Sequence, residues 1–299
     1  MKGFVLINGY PSDEKFYRQG KRIADALQSL GIQTDLYQNG EVYAKVDAGG
    51  NISVYTPKGL GYPYSFVVYL DKDKYLGRLL EKSGLRLFNS AQAIEDCDDK
   101  MQTYFALRNA DVALAKSIPA PLCYTPNAKA DEKFLKMVAG ELGFPMIVKK
   151  SYGSFGAGVQ LVHGMPELLE TANKFLYEPH FYQAYVKESS GKDIRVIVIG
   201  GEVVAAMERI AQSGEFRSNI ELGGIGNRVD LPEKYAQTAL KAAAALGLDY
   251  CGVDLLKTGD GLVCEVNSNA FFEGIESVTG ANVAKAYAEY ILSNSKKNG

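Results

Sequence analysis

The run LVCEVNSN, residues 262–269, sets a carboxylate, Glu265, and an amide, Asn267, two positions apart among apolar neighbours. In an extended strand the side-chain period is two, so both point to one face. Those eight residues fit a solvated strand end. They also fit two oxygen ligands for a hard cation such as Mg²⁺, which takes carboxylate and amide oxygens. Upstream, YCGVDLL and the turn Thr258-Gly-Asp-Gly261 make the run the second arm of a hairpin, with Asp254 on the first arm roughly opposite Glu265. Cross-strand neighbours on one face have Cβ atoms about 4.5–5.5 Å apart, so Asp254, Glu265 and Asn267 converge. Two carboxylates that close repel unless a cation or a proton lies between them. The apolar flanks weaken the alternative of an exposed edge hairpin. The set is a candidate Mg²⁺ site that would bridge substrate phosphates.

Phosphates need a cradle. SYGSFGAGV (Ser151–Val159) has glycines at 153, 156 and 158, where backbone N–H groups can approach oxyanions. It is neither a Walker A loop nor a dinucleotide fingerprint, because it leads into a second strand rather than a helix. A plain glycine-rich hairpin explains it equally well on its own. Lys149, in the strand just before it, adds weight: a half-buried lysine is costly without an anionic partner. Lys100 is a second phosphate candidate that, alone, reads as a solvated helix charge. FYQAYVKE could read adenine through its main chain, a signal the sequence does not display. Arg209 ends a strand, and Arg217 sits in a polar loop before a Gly-Gly turn. Such a loop suits capture of a carboxylate or of a developing acyl phosphate, and equally suits an ordinary surface.

These residues need elements to hold them. Over 1–90, FVLIN, IQTDLYQ, NISVYT and YSFVVYL read as strands, and Glu14–Gly31 and DKYLGRLLEKSG as helices. Their alternation predicts a parallel α/β layer. SAQAIEDCDDKMQTYFALRNA reads as one helix carrying Asp98, Asp99 and Lys100. A proline-punctuated loop with a short strand follows, then helix 134–143, strand, glycine loop, strand, and helix 166–176 with proline at its first position. FYQAYVKE and DIRVIVIGGEVVAAMERI read as strands with a hairpin at IGGE. Helix 234–247, the carboxylate hairpin and a last helix, 280–293, complete the chain, whose tail SKKNG frays.

The 299 residues suffice for two or three domains with cores. Their 46% hydrophobic and 23% charged content places them with globular chains. A net charge of −2 gives no field for nucleic acid. No stretch of about 20 apolar residues exists to span a membrane, and the N-terminus lacks a signal-peptide core. Cys97, Cys123, Cys251 and Cys264 form no CxxC pair, which with the apolar settings of the last two predicts reduced thiols and a cytoplasmic protein. Two histidines, His163 and His180, leave little for a histidine metal site or a Ser-His-Asp triad.

Taken together, the DDK run at 98–100, IVKKSYGSFGAGVQLV, QAYVKESSGKDIRVIVIGGEVVAAMERI, GEFRSNIELGG, GLDYCGVDLL and CEVNSNAFFEGIESVTG resemble, in order and over about residues 85–295, the ATP-grasp superfamily. Within it they are most similar to the ribosomal-S6-modification-type (RimK-like) α-L-glutamate ligases. Bacterial glutathione synthetase is a more distant likeness. The resemblance implies an ATP-grasp fold with a pre-ATP-grasp α/β domain at 1–92, a central lid at 93–186 and a C-terminal domain at 187–299. It implies ATP with Mg²⁺ (Mn²⁺ able to substitute), a glutamate donor, and a small-molecule or protein acceptor, in a chain that need not be monomeric. Carried over, Lys100 and Lys149 would contact phosphates, with Gly153, Ser154, Gly156 and Gly158 closing over them. Gln183, Ala184, Tyr185 and Val186 would line the adenine, and Asp193 would take the ribose or base edge. Arg217, Ser218 and Asn219 would meet the γ-phosphate and acyl group, with Arg209 nearby, and Asp254, Glu265 and Asn267 would hold the metal. The family commonly has an acid where Ala184 stands and ASPG where this chain has SNAFF, so Phe271 and Phe272 add bulk beside the metal. The implied activity is an ATP-dependent carboxylate–amine ligase acting through an acyl phosphate. A nucleotide sensor without turnover, or a glutathione-type or D-alanine-type peptide ligase, are the alternatives.

Overall fold

The computed structural model describes residues 1–11, 13–153, 156–212, 215–218 and 223–295, and the elements and sheets below are those of the described residues. Ser154 and Asn219 lie outside them.

The chain opens with β1 (Lys2–Ile7), α1 (Lys15–Ser29), β2 (Gln33–Gln38), β3 (Tyr43–Val46), β4 (Ile52–Thr56), β5 (Gly59–Leu60), β6 (Phe66–Leu70), α2 (Lys74–Lys82) and β7 (Arg86–Phe88). The sheet β2-β1-β6-β7 is parallel throughout, as the alternation predicts. Gly3 to Ile7 and all of β6 are buried, as strands covered on both faces must be. NISVYT departs from the expectation. It forms β4 in a separate antiparallel sheet, β3-β4-β5. Only Thr56 of β4 is fully buried, so the segment lacks the two-sided apolar surface that a central parallel strand needs.

Next come α3 (Ala91–Asp98), α4 (Lys100–Leu107), β8 (Ala113–Leu114), β9 (Ser117–Pro119), α5 (Glu132–Leu142), β10 (Met146–Lys150), β11 (Val159–Val162), α6 (Met165–Phe175) and β12 (His180–Ala184). The single helix expected over 90–110 is two. Asp99 takes an extended conformation (φ −92°, ψ 109°), and its carboxylate accepts from the N–H groups of Met101 and Gln102, capping α4. Aspartate side chains compete for backbone donors in this way, and here the cap prevails over a continuous apolar pattern. Lys100 thereby begins a helix, and its N–H donates to the Ser151 carbonyl at 3.0 Å, beside the glycine loop. The antiparallel sheet β11-β10-β12-β9 backs that loop.

The last part comprises β13 (Lys192–Ile199), β14 (Glu202–Ile210), β15 (Ile225–Arg228), α7 (Glu233–Ala245), β16 (Tyr250–Leu256), β17 (Leu262–Asn267), α8 (Glu273–Thr279) and α9 (Val283–Ser295). Its sheet runs β15-β14-β13-β16-β17-β8. Ala239, Ala242 and Ala243 of α7 pack with Val196, Val253 and Val263, and Ala93, Cys97 and Leu107 join the same core. The expected final helix, 280–293, is α9, which starts three residues later; Gly280, at φ +78°, instead ends the additional short helix α8. Ile23 and Leu27 of α1 share a core with Tyr287, Ala288 and Ile291 of α9, which seats the first layer against the last part and leaves a crevice between the sheets.

Candidate functional site

The hairpin register is the one the sequence predicts: Asp254 pairs with Glu265 and Gly252 with Asn267. A bulge follows, since Leu255 pairs with Val263 and Cys264 is the extra residue. On the other side β13 sets Arg195 against Asp254, and β14 sets Arg209 against Asp193. With period two, Asp193, Arg195, Arg209, Asp254, Glu265 and Asn267 share one face of the sheet. Gly252 is required opposite Asn267, because a Cβ there would lie 2.6 Å from the Ala270 Cβ.

The carboxylates are not the unscreened pair that the hairpin alone suggests. Arg195 holds Asp254 through Nε and Nη2, both at 2.7 Å, and Arg209 Nη2 lies 2.9 Å from it. Arg209 also grips Asp193 at 2.7 and 2.5 Å. Arg209, Asp193 and Asp254 are all buried. Burial works to raise the Asp254 carboxyl, but Arg195 and Arg209 outweigh it and hold it below the usual carboxylate range. Glu265 has its own cation, Lys100 Nζ at 3.4 Å, which also donates to the Gly153 carbonyl at 2.8 Å.

Lys149 is buried, and among the described residues it has no acidic partner; its recorded contact is the Cys264 Sγ at 3.8 Å. That thiol is pushed up by burial, against the pull of Lys149, and so is held protonated at neutral pH. Among the described residues the lysine is therefore buried with no acidic side chain in ion-pair contact. Arg217 is occupied: Nε and Nη2 fork onto Glu215 at 3.0 and 2.8 Å, and Nη1 donates to the Gly156 carbonyl at 2.9 Å. Its hydrogen bonds draw the Glu215 carboxyl down to about 2.

Two adjoining cavities meet at Lys100, Gly153 and Glu265. The first, roughly 120 Å³, is lined by Lys149, Gly156, Arg217 and Ser218 on one side. Asp193, Arg209 and Asp254 form the floor, and Gln183, Ala184, Tyr185 and Val186 the end. Gly158 stands apart from that lining, and its φ of +78° and the Lys150 side chain, 2.8 Å from where a Cβ would sit, explain the glycine. Gln183 is buried, and its amide nitrogen is spent on the hydroxyls of Tyr104 (2.8 Å) and Ser117 (3.0 Å). The Ala184 N–H donates to the Lys116 carbonyl. Asn267 lines the second cavity with Arg195. Arg195 was not singled out from the sequence, although its place two residues after Asp193 puts it on the same strand face.

The residues present suit a hard divalent cation. No cluster of three or more His, Cys, Asp or Glu forms among the described residues; the donors here are two carboxylates and an amide. The Asn267 Nδ2 is buried without a hydrogen-bond partner among the described residues. Rotation about χ2 exchanges the ends of the amide and would present its oxygen instead. A carboxylate offers about four lone-pair positions, so Asp254 can retain its arginines and still donate one.

A family model described as a RimK-like ATP-grasp domain matches residues 98–291. The chain belongs to the RimK-like ATP-grasp family. Among relatives of this RimK-like chain, "Probable alpha-L-glutamate ligase 2" of Pseudoalteromonas atlantica is 34% identical over 291 residues, 93% of this chain and 92% of that protein. "Beta-citrylglutamate synthase B" of Danio rerio is 37% identical over 231 residues, 76% of this chain and 55% of that protein. The chain thus spans little more than half the length of the vertebrate relatives it matches. A solved structure of the ATP-grasp ligase PsnB "complexed with minimal precursor, Mg, and ADP" superposes with a TM-score of 0.70 at 16% identity, over 99% of this chain and 98% of that one, which shows the ATP-grasp fold. Among the described residues, no helix is long and apolar enough to cross a membrane.

Proposed function

We propose that this RimK-like chain is an ATP-dependent carboxylate–amine ligase that joins glutamate to an acceptor through an acyl phosphate. The observation that carries the proposal is the meeting of two cavities at Lys100 and Glu265, one edged by the buried Lys149, which has no acidic partner among the described residues, and the other by Arg195. ATP would lie in the first cavity, its adenine beside the main chain of Ala184–Val186 and its phosphates against Lys149, Lys100 and the glycine loop. Arg217, which reaches the Gly156 carbonyl, and Ser218 would meet the γ-phosphate and acyl group; Asn219, expected with them, and Ser154, expected in the glycine loop, lie outside the described residues. Asp254, Glu265 and Asn267 would hold Mg²⁺, or Mn²⁺ of like charge, which would neutralise the transferred phosphoryl group. Segment 93–186 would be the lid, because the sheet that bears Lys149 and the loop lies within it.

The acceptor carboxylate attacks the γ-phosphorus, the bond to the β–γ bridging oxygen breaks, and ADP leaves. Lys149, Lys100 and Arg217 stabilise charge on the transferred group, as fixed cations in a closed site do. The glutamate amine then attacks the acyl carbon, phosphate departs, and the amine's surplus proton passes to solvent. Arg209 holds Asp193 and Asp254 in place, so it is a positioning residue in this scheme. The names of the relatives support glutamate as the amine.

ADP release with ATP and Mg²⁺, across the free amino acids singly and in pairs and with mass spectrometry of products, tests the reading. Glutamate-dependent release and a product heavier by one glutamyl unit per ADP are expected. Release without any new amide would overturn it.

A further inference from the structure

The second cavity shares Lys100, Glu265 and Asn267 with the proposed nucleotide and cation site and extends well beyond them. It holds roughly 270 Å³ between the first layer and the carboxylate hairpin. Its charged lining is balanced among the described residues: Lys72, Lys100 and Arg195 against Asp71, Asp98 and Glu265. These charges are also engaged, with Lys72 on Asp98 at 2.5 Å and Lys100 on Glu265 at 3.4 Å. Asp71 accepts from the amides of Asn8 and Asn39. Among these side chains a chain of several carboxylates would therefore find no surplus positive charge. A single carboxylate finds one donor. Arg195 commits Nε and Nη2 to Asp254, and its Nη1 has no hydrogen bond among the described residues.

The mouth of the cavity is aromatic. Phe16 and Phe271 meet edge to face at 4.9 Å, and the Lys15 ammonium lies 5.1 Å from the Phe271 ring centre. Tyr10 stands at the same mouth with 90% of its surface exposed. Leu70 and Val266 extend the apolar wall inward. Aromatic faces and edges of this kind receive another ring in stacked or edge-to-face contact.

We infer that this cavity takes an acceptor bearing one carboxylate, seated on Arg195, and a flat aromatic body, held by Tyr10, Phe16 and Phe271, rather than an oligo-acidic chain. The inference rests on the ligase reading, which is what gives the cavity an acceptor to bind.

Calorimetry separates the two. With the full chain, Mg²⁺ and a non-hydrolysable ATP analogue, N-benzoylglycine is titrated against N-acetylglycine and tri-glutamate. The ring-bearing probe should bind about tenfold more tightly than its acetyl counterpart, the gain of one good aromatic contact with the ring's buried area. Tyr10→Ala, at a position too exposed to disturb folding, and Phe271→Ala should remove that advantage and leave binding of the ATP analogue unchanged. Equal affinity for the two glycine derivatives, tighter binding of tri-glutamate, or no binding of N-benzoylglycine would each overturn the inference. Binding of the ATP analogue is recorded in the same experiment, and its absence would count against the ligase reading instead.

Discussion

At the scale of residues, the described charges of the site are each held by a named neighbour, and among them Lys149 has no acidic partner. A buried cation without an acidic partner costs stability until an anion arrives. Lys149→Met should therefore leave the thermal midpoint of the nucleotide-free protein unchanged or higher, while ATP affinity falls about 10- to 100-fold, the worth of one charge-assisted hydrogen bond. Scanning calorimetry and nucleotide titration check both halves, and a clearly lower midpoint would contradict the account of this lysine. Glu265→Gln removes a proposed metal ligand that is half-exposed and touches only Lys100 among the described charges. It should lower kcat by about two to three orders of magnitude with the fold intact by circular dichroism. The pairing of Asp254 with Glu265 was legible because a two-residue period and a glycine turn fix hairpin register. The arginines that neutralise Asp254 were not, because strand order brings Arg195 and Arg209 to it from β13 and β14. Neither neighbour relation is written in local sequence.

At the scale of elements, the break at Asp99 aims Lys100. The cap holds the start of α4 against the Ser151 carbonyl, and Lys100 then reaches Gly153 and Glu265. Asp99→Ala should cost about 1 kcal/mol of stability, the usual worth of an N-cap, and lower kcat as Lys100 loses its aim. Ser90→Ala, which removes the cap of α3, should cost a similar amount of stability and spare kcat. Denaturant titrations beside turnover assays of both variants make the comparison, and parallel losses of kcat would refute the aiming role. The break at Asp99 escaped a reading by apolar period, since the pattern runs on across it, and the short α8 before Gly280 was not read as a helix at all. The signal at Asp99 was a carboxylate two and three residues before the N–H groups that donate to it, and Gly280, expected as a helix start, takes the positive φ of a helix end.

At the scale of the whole molecule, the crevice exists because the first layer is fastened to the last part. The Arg86 Nη2 donates to both oxygens of the Asp249 carboxylate at 2.8 Å, and the Tyr290 hydroxyl donates to the same carboxylate at 2.6 Å. Burial, the largest influence, raises the Asp249 carboxyl, and Tyr290 and Arg86 pull it part of the way back. With a folded value above the ordinary 3.8, the contribution of Asp249 to stability is fully present below that value and falls as pH rises through the folded one. Arg86→Met would leave the buried carboxylate with Tyr290 but without the arginine's charge, so it should cost about 3 kcal/mol at pH 7 and less at pH 4, since the raised carboxyl takes up its proton more readily as pH falls. Denaturant unfolding at the two pH values tests this, and an equal loss at both would contradict it. The parallel layer was readable from alternating strands and helices. The way its sheet and two others surround a crevice was not, because that depends on docking contacts such as α1 against α9. The resemblance of spaced motifs supplied what periodicity could not.

The central claim is that a carboxylate in one cavity is phosphorylated by ATP in the other. The most direct measurement supplies the acceptor that supports ADP release with ¹⁸O in its carboxylate, and follows the label. The account predicts one ¹⁸O atom in each released phosphate for every amide formed. Unlabelled phosphate alongside amide product, or AMP with pyrophosphate in place of ADP, would contradict it.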